Sequence, residues 1–88
     1  MDPKYFEPIP DGLPKAEAAA RLKRQRHAEW GVAVCRLGGT LPDHKLIAEL
    51  QRYINGEITI AQVAGVVDPP MAAAVQAIVT RERLSKAA

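Results

Sequence analysis

The sequence has little cysteine, few aromatic residues and no long apolar run. The shortage of cysteine argues against a disulfide-stabilised protein, and the lack of a long apolar run argues against a membrane-spanning one. Among 88 residues the single cysteine, Cys35, cannot form an intramolecular disulfide, which fits a reducing compartment. No apolar run approaches the roughly 20 residues of a membrane-spanning helix, and the N-terminus lacks the basic-then-apolar order of a signal peptide. We therefore expect a small cytoplasmic protein with no membrane partner.

The net charge is only +2, but the charge is unevenly distributed. Residues 15–37 carry six lysines and arginines against two glutamates, whereas the preceding segment is acidic and the following one is balanced. The basic run RLKRQRH at residues 21–27 is a candidate for nucleic-acid binding. At about 100° per residue, however, its cations surround a helix instead of lining one face. We therefore expect a solvated helix and do not expect a nucleic-acid site here.

Prolines separate an N-terminal arm from the rest of the chain. Four of the seven prolines lie within residues 1–14, and proline favours extended backbone in the residue before it. Residues 1–13 are therefore predicted to form an extended arm. Its apolar side chains, Tyr5, Phe6 and Ile9, indicate that the arm lies either on its own domain or on a partner. Residues 14–88 are predicted to form one helical domain.

The helical domain is predicted to be all-α, with three to four helices and a long first helix. This helix begins at Pro14, a favourable first-turn residue, and extends to Leu37. Gly31 interrupts the apolar pattern, so we expect close packing or fraying there. The alanine-rich first half of the helix has little to bury and is expected to project into solvent. The predicted apolar stripe consists of Leu22, Trp30, Ala33, Val34 and Leu37.

Capping signals define the later helices. Either Thr40 or Asp43 is expected to cap the second helix, which Asn55-Gly56 ends with a left-handed cap. A capping-box pattern at Thr59 and Gln62 predicts a short third helix over residues 60–67. A fourth helix is expected to follow Asp68-Pro69-Pro70, with Asp68 as its cap.

The segment from Thr59 to Val79 has one feature of a helix-turn-helix, the alanine-to-glycine spacing of Ala61 and Gly65. Reading bases requires polar or charged side chains near the N-terminus of the recognition helix. That position is occupied by the sequence MAAA from Met71, which cannot supply them. An apolar helix packed in a core or against a partner is the favoured interpretation.

The sequence contains no recognisable catalytic constellation. His27 and His44 lie on different predicted helices, and neither has a cysteine, histidine or carboxylate at metal-ligand spacing. Cys35 has no implied histidine neighbour and is expected to be a small packed side chain. We therefore expect a protein that is not an enzyme and has no metal site and no cofactor of its own.

Residues from about 26 to 60 resemble the VbhA-like antitoxins, which are small helical inhibitors of Fic-domain toxins. The resemblance rests on the sequence AVCRLGG at residues 33–39, the pair Pro42-Asp43, and LIAELQRYINGEI at residues 46–58. The family motif is a serine or threonine, three residues, a glutamate, and then glycine or asparagine, at the end of the first long helix. In this chain Val34 takes the serine or threonine position, Gly38 takes the glutamate position, and Gly39 matches the glycine.

The resemblance implies a partner and a mechanism. In the family, the motif glutamate reaches an arginine of the partner's Fic motif and occupies the space of the ATP γ-phosphate, so AMP transfer stops. The partner, which binds ATP and Mg²⁺, is expected to form a heterodimer with this chain. Because Gly38 replaces the glutamate, we expect binding to persist and inhibition to weaken. The implied motif residues are Val34, Arg36, Leu37, Gly38 and Gly39.

Three apolar residues are predicted to anchor the partner interface, Trp30, Leu46 and Leu50. Gly38 has no apparent folding role, since Gly39 alone supplies a left-handed helix cap and a glycine in the last turn costs up to about 1 kcal/mol.

Two alternatives remain open from the residues: a small helical DNA-binding regulator, and a general protein-interaction module.

Overall fold

The computed structural model of the protein describes residues 5–87, and it contains four α-helices within this range. They are α1 (Lys15–Leu37), α2 (His44–Ile54), α3 (Ile60–Ala64) and α4 (Ala72–Ala87), and a 3₁₀ helix (Pro69–Met71) leads directly into α4. No strand occurs within these residues. The all-α prediction with a long first helix is therefore confirmed. The first four residues of the predicted arm lie outside the described residues.

Local capping chemistry fixes where α2 and α3 begin. A side-chain oxygen of Asp43 accepts a hydrogen bond from the backbone N–H of Leu46 at 2.8 Å, so Asp43 and not Thr40 is the N-cap of α2. Thr59 and Gln62 form the predicted capping box at the start of α3. The third helix is shorter than predicted because Gly65 caps it immediately after Ala64.

Asp68 does not cap the fourth helix through its side chain, which corrects the prediction. It precedes the 3₁₀ helix and makes no side-chain cap hydrogen bond. Pro69 and Pro70 have no N–H, so the first two donors that a cap would satisfy are missing. The next donor, the N–H of Met71, already bonds to the backbone oxygen of Asp68 at 2.9 Å.

Close contact between α1 and α4 forms the centre of the core. A Cβ atom placed on Gly31 would lie 2.7 Å from Cδ1 of Ile78 and 2.8 Å from the backbone oxygen of Ala74, so the close packing expected at this glycine is confirmed. Small residues on the inner face of α1 allow this approach. The buried residues of α1 are Ala28, Gly31, Val32 and Cys35.

The predicted apolar stripe of α1 lies mostly on the surface. Leu22 and Trp30 are each 41 % exposed and Leu37 is 84 % exposed, while Ala33 is exposed and Val34 is half-buried. The core uses the opposite side of the helix, whose residues are smaller, because α4 packs where α1 is thinnest.

The described part of the arm lies on its own domain. Phe6 is only 7 % exposed and joins the core cluster, and Tyr5 packs against the same cluster. The backbone N–H of Glu7 donates to Oε1 of Gln51 on α2 at 2.9 Å. Arg36 near the end of α1 donates from Nη1 to the hydroxyl of Tyr5 at 3.1 Å. These contacts favour the intramolecular of the two alternatives for residues 5–7.

Candidate functional site

The C-terminal end of α1 is an exposed turn built on two glycines with different backbone conformations. Gly38 is the C-cap residue with φ −81° and ψ 2°, whereas Gly39 has φ +87°. The N–H of Gly39 donates to the oxygen of Arg36 at 2.9 Å, and the N–H of Thr40 donates to the oxygen of Cys35 at 3.0 Å. This is the Schellman pattern, and the predicted role of Gly39 as the left-handed cap is confirmed.

Gly38 has no conformational need to be glycine. Its φ is negative, and a Cβ atom placed there would meet only the backbone oxygens of Cys35 and Val34, at the ordinary distances of 3.5 and 3.7 Å. Position 38 is exposed. A larger side chain, including glutamate, therefore fits here without strain and would extend into solvent.

Exposed leucines lie on either side of the glycine turn. Leu37 is 84 % exposed and Leu41 is 75 % exposed, so both leave most of their apolar surface in water. Val34, at the family's serine or threonine position, is half-buried, and Arg36 is exposed. The end of α1 thus exposes two leucines and an arginine around position 38.

Two of the three predicted anchors do not lie on the surface. Leu46 and Leu50 are both 0 % exposed and belong to the core cluster, so their prediction as interface anchors is wrong. The helical period of α2 identifies an apolar face, but that face packs inside the chain. Trp30 is partly exposed, and the guanidinium carbon of Arg81 on α4 lies 4.9 Å from the centre of its ring, within cation–π range.

A polar cluster joins α1, α2 and α4. The hydroxyl of Tyr53 donates to Oε2 of Glu82 at 2.5 Å, and Nδ1 of His27 lies 3.5 Å from the same hydroxyl. Burial, followed by the hydrogen bond to Glu82, raises the pKa of Tyr53 well above its ordinary value. Burial lowers the pKa of His27. Sequence analysis missed this cluster, although a tyrosine on the buried face of α2 signals that its hydroxyl needs a partner.

Arg24 extends the polar cluster to the end of α2. Its Nε donates to the backbone oxygen of Ile54 at 2.9 Å, one of the carbonyls that the helix itself leaves free. Glu17 accepts from Arg21 at 2.7 Å and lies 3.5 Å from Nη2 of Arg24. The basic run is therefore divided: these two arginines have partners within the chain, whereas Lys23 and Arg26 are exposed.

The segment with helix-turn-helix spacing packs as an apolar helix pair. Val63 of α3 and three residues of α4, Ala74, Val75 and Ile78, are buried in the core. The first exposed side chains of α4 are alanines, and Gln76 follows one turn later. This surface offers few groups for reading bases.

Cys35, the single cysteine of the sequence, is not placed for nucleophilic chemistry. Cys35 is 2 % exposed, and burial raises the pKa of its thiol, which disfavours the reactive thiolate. Within the same residues no three histidine, cysteine or carboxylate side chains could together hold a metal ion. None of the described helices has the length and apolar character to cross a membrane.

The end of α1 is the part of the described surface that carries the predicted motif residues. Position 38 combines exposure, ordinary backbone conformation and two neighbouring exposed leucines. Comparison with protein-family models, with curated proteins and with solved structures gives no match to this chain.

Proposed function

We propose that this chain is an antitoxin-type protein that binds a Fic-domain adenylyltransferase and obstructs ATP only weakly, because glycine occupies position 38. The single observation that carries the proposal is the state of Gly38. It lies at the exposed end of a long helix, adopts a conformation open to any residue, and has free space around its Cα. Gly38 has no folding role and occupies the family's glutamate position. This supports the proposal that an inhibitory glutamate has been lost there.

The neighbouring residues support binding at this end of α1. Leu37 and Leu41 expose most of their side chains on both sides of the glycine turn. Burying exposed apolar surface contributes roughly 25 cal/mol per Å², so two leucines inserted in a partner would stabilise a complex without any charged group. Different residues have the two proposed roles: the leucines contact the partner, and the residue at position 38 determines whether ATP is obstructed. Binding can therefore persist when inhibition is lost.

A glutamate at position 38 would act by competing with a phosphate for a cation of the partner. A hydrogen bond between a carboxylate and a guanidinium contributes about 1.5–3 kcal/mol, which corresponds to about a 10- to 100-fold change in an equilibrium constant. The turn itself would not need to move, since Gly39 and not Gly38 provides the positive φ. Gly38→Glu is therefore expected to restore inhibition of AMP transfer.

The experiment uses the full chain and a Fic-domain adenylyltransferase from the same cell. Calorimetry measures binding, and transfer of labelled AMP to a target protein measures activity, for the natural chain and for Gly38→Glu. Gly38→Gln is the matched control, because it has the same size and no charge. We expect all three to bind and only Gly38→Glu to reduce transfer, by about 10- to 100-fold.

Two outcomes contradict different parts of the proposal. If the natural chain does not bind the enzyme, the proposed function is wrong. If Gly38→Glu binds with unchanged affinity and leaves AMP transfer at the level of Gly38→Gln, the chain is a partner of the enzyme but position 38 is not its inhibitory position.

A further inference from the structure

The side of α1 that faces away from the core carries a continuous line of exposed residues spaced three or four positions apart. At about 100° per residue they fall within an arc of about 80°, and every one of them is exposed. The line covers most of α1 and ends at Leu37, immediately before Gly38. We call it the outer seam, and it consists of Ala19, Leu22, Arg26, Trp30, Ala33 and Leu37.

Spacing of this kind is what a second helix packs against. Residues three and four apart lie on one helix face, so the outer seam forms a stripe about 27 Å long from Ala19 to Leu37 at 1.5 Å per residue. Ala19 and Ala33 have small side chains, whereas Leu22, Trp30 and Leu37 have large ones. The difference in size provides both projections and recesses for a facing helix.

The charges beside the outer seam have one predominant sign. Arg26 lies within the seam, Lys23 borders it, and Arg81 of α4 lies over Trp30. None of these three cations has a carboxylate within 4.0 Å in the part of the chain that the structure describes. Among the residues of α1 the acid that borders the seam is Glu29, on the side away from Lys23.

Leu84 extends the apolar surface onto α4. It follows Arg81 by three residues, so the two share one face of α4, and it is 62 % exposed. Ala20 and Ser85 line one cavity, and Gly31 lies beside Ala74, so α4 runs antiparallel to α1. Since Arg81 lies over Trp30, the face of α4 with Arg81 and Leu84 continues the surface of the outer seam.

We propose that the outer seam binds one amphipathic helix of a partner protein, and that acidic side chains border the apolar face of that helix. The proposal rests on the proposed function only in assigning the partner to the Fic-domain enzyme. Complementary charge identifies the occupant: Lys23, Arg26 and Arg81 require carboxylates opposite them, while Leu22, Trp30 and Leu37 require apolar side chains. A helix bound along the seam would bring the partner's surface up to position 38.

The observations favour a protein over a nucleic acid. Arg81 already covers one face of the Trp30 ring at 4.9 Å, so a base could stack only on the other face. Leu22 and Leu37, near the two ends of the seam, have no counterpart on a phosphate backbone. An acidic and apolar helix satisfies the cations and the leucines together.

The test uses three seam variants and one matched control. Trp30→Ala removes the central apolar group, and Arg26→Glu and Arg81→Glu reverse charges at the seam. Arg83→Glu reverses an exposed charge on the side of α4 away from α1 and is the control. Circular dichroism first checks that each variant keeps the helical content and melting temperature of the natural chain within a few degrees.

Two probes are titrated into each chain by calorimetry: the Fic-domain enzyme, and a synthetic helix of four heptads with leucine at positions a and d and glutamate at e and g. A version with lysine in place of every glutamate is the charge control. We expect each seam variant to weaken binding of the Fic-domain enzyme and of the glutamate-bearing helix by about tenfold or more. The Arg83→Glu chain should bind as the natural chain does, and the lysine helix should not bind.

The two probes separate failure of this inference from failure of the proposed function. If the enzyme binds and the seam variants bind it equally well, the outer seam is not the docking surface, although the function stands. If the acidic helix binds through the seam but the enzyme does not bind, the inference stands and the function is wrong. If neither probe binds, both are wrong. Seam-dependent binding of duplex DNA or of vesicles with anionic lipid, without binding of the acidic helix, would overturn the proposed occupant.

Discussion

Gly31 of α1 packs against Ile78 of α4 so closely that no side chain fits between them. A Cβ atom on Gly31 would lie 2.7 Å from two carbons of Ile78 and 2.8 Å from the backbone oxygen of Ala74. The side chain of Ile78 could rotate away, but the backbone of Ala74 belongs to α4 and cannot. The distance between the two longest helices is therefore set by the absence of one methyl group.

We expect Gly31→Ala to destabilise the protein even though alanine is the better helix former. Alanine gains about 1 kcal/mol of helix propensity over glycine, whereas overpacking a tight contact costs about 1–3 kcal/mol. The contact with the backbone oxygen of Ala74 puts the cost at the upper end, so a net loss of about 1–2 kcal/mol is expected. Urea unfolding followed by circular dichroism measures it.

The matched control is Gly38→Ala, which adds the same methyl group at the C-cap of the same helix. Its Cβ would make contacts of 3.5 Å or longer, and the φ of Gly38 is negative. We expect this variant to gain about 0.4–1 kcal/mol, since alanine restricts the unfolded chain. Equal stability changes at the two positions would show that the Gly31 contact relaxes and does not set the helix spacing.

Sequence analysis succeeded where structure depends on neighbouring residues. The capping box of Thr59 and Gln62, the Asp43 cap and the left-handed Gly39 each involve groups within a few positions of one another. Capping is local chemistry, so spacing along the chain identifies the candidate caps. Spacing alone left Thr40 and Asp43 as alternatives, wrongly predicted Asp68 as a cap, and made the third helix three residues too long.

Sequence analysis failed where structure depends on distant residues. Both faces of α1 carry apolar residues, and only packing against α4 determines that the face with Gly31 and not the face with Trp30 is inside. The apolar face of α2 was identified, but whether Leu46 contacts a partner or its own core depends on the other helices. The hydrogen bond from Tyr53 to Glu82 joins residues 29 positions apart.

The N-terminal arm is predicted to contribute to folding stability through Phe6. Because this ring is buried on the core, Phe6→Ala should cost about 3 kcal/mol, at the lower end of the range for buried phenylalanines. The readout is the midpoint of thermal or urea unfolding. Glu7→Ala is the control, since the side chain is exposed and the bond from its backbone N–H to Gln51 is retained. A Phe6→Ala chain as stable as the control would mean that the arm does not dock in solution.

The Tyr53–Glu82 hydrogen bond is expected to hold α4 to α2. Tyr53→Phe removes the donor and leaves the carboxylate of Glu82 without it, so we expect a loss of about 1.5–3 kcal/mol, the range for hydrogen bonds to charged groups. Glu82→Gln keeps an acceptor and should cost less. Unfolding of the two single variants and the double variant gives the coupling between the residues. Additive losses, with no coupling, would contradict a direct bond between them.

Acid should destabilise the protein partly through His27. Burial lowers the pKa of this imidazole in the folded chain, with Lys23 and Arg81 adding to the decrease and Glu82 opposing it, whereas the unfolded chain titrates near the ordinary value of 6.5. Below that pH the unfolded state binds the proton more readily, so stability is full above about pH 6.5 and falls as the pH drops through the folded pKa.

His27→Gln should therefore lose less stability than the natural chain between pH 7 and 5, measured by urea unfolding at each pH. His44→Gln, which removes the exposed histidine, is measured alongside as the control for loss of an imidazole. If the His27→Gln and natural curves stay parallel over this range, the folded chain does not lower the pKa of His27, because a lowered pKa must separate them.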